Sequence, residues 1–256
     1  MKAHIFFLGT GGSAGIPMIG CSCSVCRSDS LRNKRLRPSM LIQFEGKNFV
    51  IDATPDFRQQ ALTYNIDHLE GMLLTHAHYD HIGGLTECVP YLSMQKKPIP
   101  LLLSKQTYAE VKKQYHYLLA MELFSAQILK SRIGMVSFEG LNVRYFSYLQ
   151  KGMWVNGFRL KNFAYLTDIK EYDDTLIFHL EGVDTLVISA TLFSQSRAHI
   201  HFLEAQMIAK QARIKRTFFT HISHHIEHEK ENKKLPKGVE IAYDGLKLEV
   251  EIEKAR

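Results

Sequence analysis

Between Thr75 and Gly84 the chain reads Thr-His-Ala-His-Tyr-Asp-His-Ile-Gly-Gly, directly after the apolar run Met72-Leu73-Leu74. His76, His78, Asp80 and His81 are four potential metal ligands within six residues. Two imidazoles at i and i+2 of an extended backbone point the same way, so His76 and His78 can meet one ion. Asp80 and His81, just beyond, can turn toward a second. Imidazole combined with carboxylate suits Zn²⁺, Mn²⁺ or Fe. Histidines that merely cap a helix or line a surface loop do not call for this density.

Residues of the same chemistry recur far away in the chain. Thr217-Phe218-Phe219-Thr220 leads into His221, His224, His225 and His228. Histidines this dense at the mouth of an apolar strand point to at least one further ligand. Asp168 closes Tyr165-Leu166-Thr167-Asp168; alone, such a residue reads as a turn or N-cap aspartate. Cys21, Cys23 and Cys26 lie within six residues, a metal signal before a disulfide signal in a cytosolic chain. Cys88, among apolar neighbours, reads as a small core residue. The run Gly9-Thr10-Gly11-Gly12-Ser13-Ala14-Gly15 lacks the Gly-Lys-Ser/Thr ending of a phosphate loop and reads as a tight turn beside the metal site.

The elements that must position these residues alternate between strand and helix. Residues 4–8 are a buried strand, and 39–44 with 48–52 form a hairpin that ends on Asp52 and Asp56. Residues 57–66 fit an amphipathic helix. The strand 72–74 delivers the His-rich stretch, and Gly83-Gly84 opens a helix carrying Leu85, Cys88, Val89 and Leu92. A strand is expected over 98–103 and a helix over 106–130, which holds no Pro or Gly. Strands follow at 141–146, 158–163, 175–180 and 185–189, then an amphipathic helix over 202–212. Residues 217–220 are a strand, and 239–252 is strand-like around Asp244-Gly245. No linker divides the sequence, so residues 1–256 are expected to form one α/β domain.

Composition sets outer bounds. Hydrophobic residues make up 45% and charged residues 23%, the proportions of an ordinary globular protein. No apolar run approaches the ~18 residues of a membrane span. The N-terminus runs straight into a Gly-rich turn, so a cytoplasmic location is expected. The net charge of +6 mildly favours anionic partners. The basic run Arg32–Arg37 has no aromatic interleaving and reads as a loop-like, weak signal for nucleic acid.

Taken together, the residues resemble the metallo-β-lactamase superfamily of hydrolases. The resemblance covers most of the chain: the opening Leu-Gly-Thr-Gly-Gly, Ile51-Asp52, the HxHxDH stretch, Asp168 and Thr220-His221. It implies an αββα sandwich of two mixed sheets flanked by helices. His76 and His78 would bind a first metal, Asp80, His81 and His221 a second, and Asp168 would bridge them. The cysteine pattern resembles the PhnP-type phosphodiesterases, whose structural zinc is held by three such Cys and a His. Here these would be Cys21, Cys23, Cys26 and His224. Coenzyme-PQQ synthesis protein B shares that pattern, but the intact HxHxDH stretch favours the hydrolase branch.

One position departs from the family. Eighteen residues before Asp168, where related chains have a His, stands Gln150, followed by the expected Gly157-Phe158-Arg159. Three outcomes follow for the first metal: Gln150 coordinates weakly, water replaces it, or the position is partly empty. His116 or His179 are substitutes from elsewhere. The resemblance also makes His199 the group that protonates the leaving oxygen, with His201 as its competitor; Asp80 and His199 are thus the expected catalytic residues. Asp52 and Asp56 are candidates for orienting the ligand imidazoles. A metal-bound hydroxide would attack a small or cyclic phosphodiester, using one or two Zn²⁺ or Mn²⁺ ions beside the structural Zn²⁺. No protruding RNA-holding arm is present, so nucleic acid and membrane are not expected as partners, and a homodimer is left open. The alternative is a weakly active or non-catalytic accessory protein of the same fold, impaired at Gln150.

Overall fold

The computed structural model describes residues 1–194 and 196–255. The first half of the chain builds β1 (Lys2–Gly9), β2 (Ser39–Phe44), β3 (Lys47–Ile51), β4 (Gly71–Leu73), β5 (Ile99–Ser104) and β6 (Phe124–Leu129). The second half builds β7 (Ile133–Phe138), β8 (Leu141–Gln150), β9 (Met153–Leu160), β10 (Phe163–Leu166), β11 (Thr185–Ser189), β12 (Arg216–Thr220) and β13 (Val239–Ile241). The chain then crosses back, and β14 (Lys247–Glu251) joins the first sheet. The orders are β14-β1-β2-β3-β4-β5-β6 and β13-β12-β11-β10-β9-β8-β7.

Each sheet is half antiparallel and half parallel. Strands β14, β1, β2 and β3 pair antiparallel, whereas β3 to β6 are parallel. In the second sheet β7 to β10 are antiparallel and β10 to β13 parallel. The parallel strands β4 and β11 are buried at every residue, which explains their unbroken apolar sequences. Phe7, Phe49 and Leu73 from one sheet pack with Phe158, Tyr165, Val187 and Phe218 from the other. Burial of each such side chain contributes about 1.5–3 kcal/mol.

Helices cover both outer faces. On the first sheet lie α1 (Phe57–Thr63), the single turn α2 (Tyr79–Ile82), α3 (Val89–Gln95), α4 (Lys105–Gln114) and α5 (His116–Ala120). On the second lie α6 (Thr175–Leu180) and α7 (Phe202–Gln211), with α8 (His228–Asn232) after β12. The architecture is the expected αββα sandwich.

Two expected elements differ. The helix over 106–130 is two helices and then β6, which adds to β5 as the parallel edge strand of its sheet. Its ends, Phe124 and Leu129, are buried while the four residues between them are exposed, so the segment has no apolar alternation to read. Residues 175–180 form α6, not a strand. Leu176, His179 and Leu180 share its buried face at helical spacing, and the Asp173 carboxylate accepts from the Thr175 amide at its start. The expected strand 158–163 is a hairpin corner between β9 and β10, turning at Lys161 with φ 52°.

Candidate metal centre

Both sheets deliver their site residues from the carboxyl ends of parallel or sheet-central strands, the usual place for a site in such folds. β3 ends on Asp52, β4 on the His76–His81 stretch, β10 on Asp168 and β12 on His221. Asp52, Asp168 and His221 all leave their strands in left-handed backbone, with φ 63°, 53° and 60°. This conformation turns each side chain back across the strand ends, at a cost of roughly 1–2 kcal/mol for a non-glycine residue. Asp80 and His81 sit in α2 and are buried, whereas His78 at its N-cap is exposed. The Gly-rich turn closes on the His221 loop: Ile222 donates its amide to Thr10 O at 2.9 Å, and Gly12 to Ile222 O at 2.9 Å. A Cβ on Gly12 would stand 3.4 Å from His221 Nδ1.

The Nε2 atoms of His81 and His221 lie between two carboxylates. Asp80 Oδ2 is 3.5 and 3.4 Å from them, and Asp168 Oδ2 is 3.0 and 3.4 Å away. Asp80 Oδ2, His81 Nε2 and His221 Nε2 are buried and have no hydrogen-bond partner. Ligand atoms about 2.0–2.1 Å from one ion lie roughly 3.0–3.4 Å apart, so this donor set fits a divalent cation. His81 keeps its Nε2 inward because its Nδ1 donates to Asp52 Oδ2 at 2.7 Å. Asp52 also takes Thr75 Oγ1 at 2.7 Å, and Thr75 Oγ1 in turn lies 2.9 Å from His76 Nδ1. His76 Nε2 thereby presents its lone pair, which meets His78 Nδ1 at 3.0 Å.

The ionisation of these groups reflects the same arrangement. Burial pushes the carboxyls of Asp80 and Asp168 up, but the imidazoles of His81 and His221 outweigh it and hold both below the usual range. Burial also works against charge on His81 and His221, yet the surrounding carboxylates raise both. The opposed shifts mark a cluster in which the paired carboxylates call for positive charge. His76 is pushed down, first by burial, and His78, whose ring is desolvated on its inner side, moves the same way, which favours the neutral imidazoles.

Within 4.8 Å of one another converge His76 with His81 and Asp168, Asp80 with His81 and His221, and Asp168 with His199 and His221. Among the described residues His78 joins none of these groups, but its Nδ1 lies 3.0 Å from His76 Nε2, a spacing that lets both face one ion as expected. Gln150 is 3% exposed and donates Nε2 to Asp168 Oδ1 at 2.7 Å, while its Oε1 is buried without a partner. His199 lies in the site, its ring 4.7 Å from that of His221 and its Nδ1 3.6 Å from Asp168 Oδ1. His201 turns away to Glu204 at the start of α7, at 3.2 Å. Asp56 does not orient an imidazole: Arg37 takes both its oxygens, through its backbone amide and Nη1. His116 is exposed and His179 stacks on Phe146, so neither replaces a ligand.

A second group forms where the cysteine loop meets the loop after β12. Cys21, Cys23 and Cys26 place Sγ at 3.3, 3.6 and 3.7 Å from His224 Nδ1. Zinc bound tetrahedrally to sulfur at about 2.3 Å and nitrogen at about 2.0 Å sets S–N edges of roughly 3.5 Å, so the set fits. The Cys23 thiol is held down to about 6, first by the Cys26 amide and then by His224. Cys88 is fully buried, as a core residue should be.

Sequence reasoning missed the support beneath these loops. Arg35, within the basic run, is 2% exposed and donates to Thr10 Oγ1 at 2.6 Å and Ala242 O, with His228 Nδ1 at 2.9 Å. Asp244 accepts from Thr10 Oγ1 at 2.7 Å and the Leu36 amide at 2.6 Å. Within this loop-like run, Arg35 is therefore an internal brace, while Arg32 stays exposed. A lone charged residue flanked by other charges carries no sequence signal of its burial.

Comparison with known proteins agrees with this geometry. A crystal structure of a diphosphatase from the PhnP family is 34% identical, covers 98% of both chains and superposes with a TM-score of 0.93. Zn²⁺-bound PqqB from Methylobacterium extorquens, 22% identical over 96% of this chain and 99% of that one, shares the fold with a TM-score of 0.75. An octanoyltransferase of Porphyromonas gingivalis is 30% identical over 93% of this chain and 50% of that protein. Coenzyme PQQ synthesis protein B of Rhodopseudomonas palustris is 30% identical over 32% of this chain and 31% of that one. The chain thus spans half or less of the length of these curated relatives. Residues 47–222 match the beta-lactamase superfamily domain, and with the paired sheets and their strand-end donors the chain belongs to the metallo-β-lactamase superfamily of hydrolases.

Proposed function

We propose that the chain is a metal-dependent hydrolase acting on small or cyclic phosphodiesters. The observation that carries this reading is the convergence of buried, unpartnered Asp80 Oδ2, His81 Nε2 and His221 Nε2 beside Asp168. Divalent zinc or manganese bound there would lower the pKa of a water and neutralise charge building on phosphorus. Asp80, His81, His221 and Asp168 would hold that cation, with His76 and His78 beside them. Cys21, Cys23, Cys26 and His224 would hold a structural zinc.

The other residues do the remaining work. Asp52 fixes His81, and through Thr75 His76, in the tautomer that presents Nε2 inward. His199 is the proton donor to the leaving oxygen. Burial and His221 hold its pKa down to about 4, and an arriving phosphate anion would raise it and favour the protonated ring. A phosphoric anhydride is the second substrate class to assay, because the 34% identical PhnP-family protein is a diphosphatase. Octanoyl transfer through a thiol has no support here. Three cysteines converge on His224, and burial pushes the Cys88 thiol up. The weakly active or accessory protein is the second reading, and Gln150 in a ligand position favours it.

The test is hydrolysis of bis(4-nitrophenyl) phosphate and of a dinucleoside diphosphate with added Zn²⁺ or Mn²⁺. Asp168→Ala should lower turnover by about 10³-fold or more, and His199→Ala by about 10²-fold, most for poor leaving groups. Unchanged turnover in Asp168→Ala ends the proposal.

A further inference from the structure

Gln150 stands where the two halves of the site meet, and its geometry bears on how many ions the site takes. Its amide nitrogen, 2.7 Å from Asp168 Oδ1, cannot ligate a cation, because its lone pair is delocalised into the carbonyl. Turning the amide over would bring Oε1 to that oxygen instead, two acceptors in contact, which only a cation between them would stabilise. As it stands, Asp168 Oδ1 accepts from the Gln150 amide, while Asp168 Oδ2 accepts from Thr167 Oγ1 at 2.8 Å and faces His81 and His221. On the other side His78 is exposed and belongs to no converging group of three ligands. The two halves of the site are unequal: one has three buried, unpartnered donors beside Asp168, while the other has buried His76, converging with His81 and Asp168, the exposed His78 at 3.0 Å from it, and an amide in place of a further ligand.

We infer that this chain holds a single tightly bound ion in the active site, between Asp80, His81, His221 and Asp168, and that the Gln150 amide hydrogen bond to Asp168 stands in for the second. This rests on the site being a metal centre, as proposed above. It means that Asp168 is a terminal ligand with one oxygen and a hydrogen-bond acceptor with the other, and does not bridge.

The experiment is metal content by mass spectrometry after equilibrium dialysis of the purified protein against buffered micromolar Zn²⁺. The wild type should hold two ions per chain, one on the cysteines and one in the active site. Gln150→His should hold three, with the third bound at least 10²-fold more tightly than in the wild type. Gln150→Glu, which also offers a ligand, is the second variant should the imidazole disturb folding, and near-unchanged circular dichroism checks both. Three tightly bound ions in the wild type would overturn the inference and leave the metal centre standing. One ion per chain, lost in Cys26→Ser, would overturn both.

Discussion

Asp52 is the residue on which the site's orientation depends. It is fully buried, takes hydrogen bonds from the Thr75 amide, Thr75 Oγ1 and His81 Nδ1, and so fixes two imidazoles with one carboxylate. Asp52→Asn keeps the shape but gives the amide a donor where His81 also donates. Zinc affinity at the active site should fall by about 10–100-fold, measured by calorimetric titration, while the cysteine zinc stays bound. An unaltered affinity would show that packing alone orients His81. At this scale the sequence named the residue types and not their partners. Asp52 and Asp56 follow the same strand four positions apart, and only the fold reveals that Arg37 occupies Asp56. His199 and His201 separate in the same way: the chain bends over residues 197–199 before His201 takes the N-cap position of α7, so one imidazole meets Asp168 and the other Glu204. The donor set itself was legible, because dense imidazoles at strand ends have no packing rationale.

Among the elements, the cysteine loop and the loop after β12 stand out, because each lacks regular structure and each is held by the other. His224 lies three residues beyond His221, so whatever fixes one restrains the other. Cys26→Ser should lose the structural ion and lower Tm by roughly 10 °C, with zinc content and scanning calorimetry as the readouts. Full zinc retention with an unchanged Tm would mean that the three thiols do not form a closed set. The strands were legible where burial follows a period or an unbroken apolar run, as in β2, β3, β11 and β12. β6 was not, because four of its six residues face water at a sheet edge, and Glu122 ends the preceding helical stretch at φ 55° without a glycine to announce it. α6 was not, because six largely apolar residues fit a strand or a buried helix equally well until the neighbours are known.

Across the whole molecule, the two sheets are tied by the crossing from β13 to β14, where the half-buried Asp244 meets Thr10 and Leu36. Burial raises its carboxyl from 3.8 to about 6 against the pull of those donors and of Arg35. Between those two values the folded chain keeps a proton that the unfolded chain has released. Stability therefore falls as pH rises through that window and levels off above about 6, a change of about 3 kcal/mol in all. Compared with Asp244→Asn, the wild type should lose roughly 2 kcal/mol between pH 4.5 and 7.5 in urea unfolding. Parallel pH profiles for the two proteins would assign the carboxyl an ordinary ionisation.

The left-handed backbone at Asp52, Asp168 and His221 has a consequence for how such a chain can change over generations. Glycine adopts that conformation at no steric cost, relieving about 1 kcal/mol at Asp168 or His221, whereas at Asp52 it would orphan the buried donors of Thr75 and His81 and cost more than it relieves. Selection for heat resistance alone would favour glycine at those two positions and leave a sandwich that can no longer gather its ion. The awkward turns persist only while catalysis is being selected, and their loss in a natural variant would mark a lineage that has retired the chemistry and kept the scaffold.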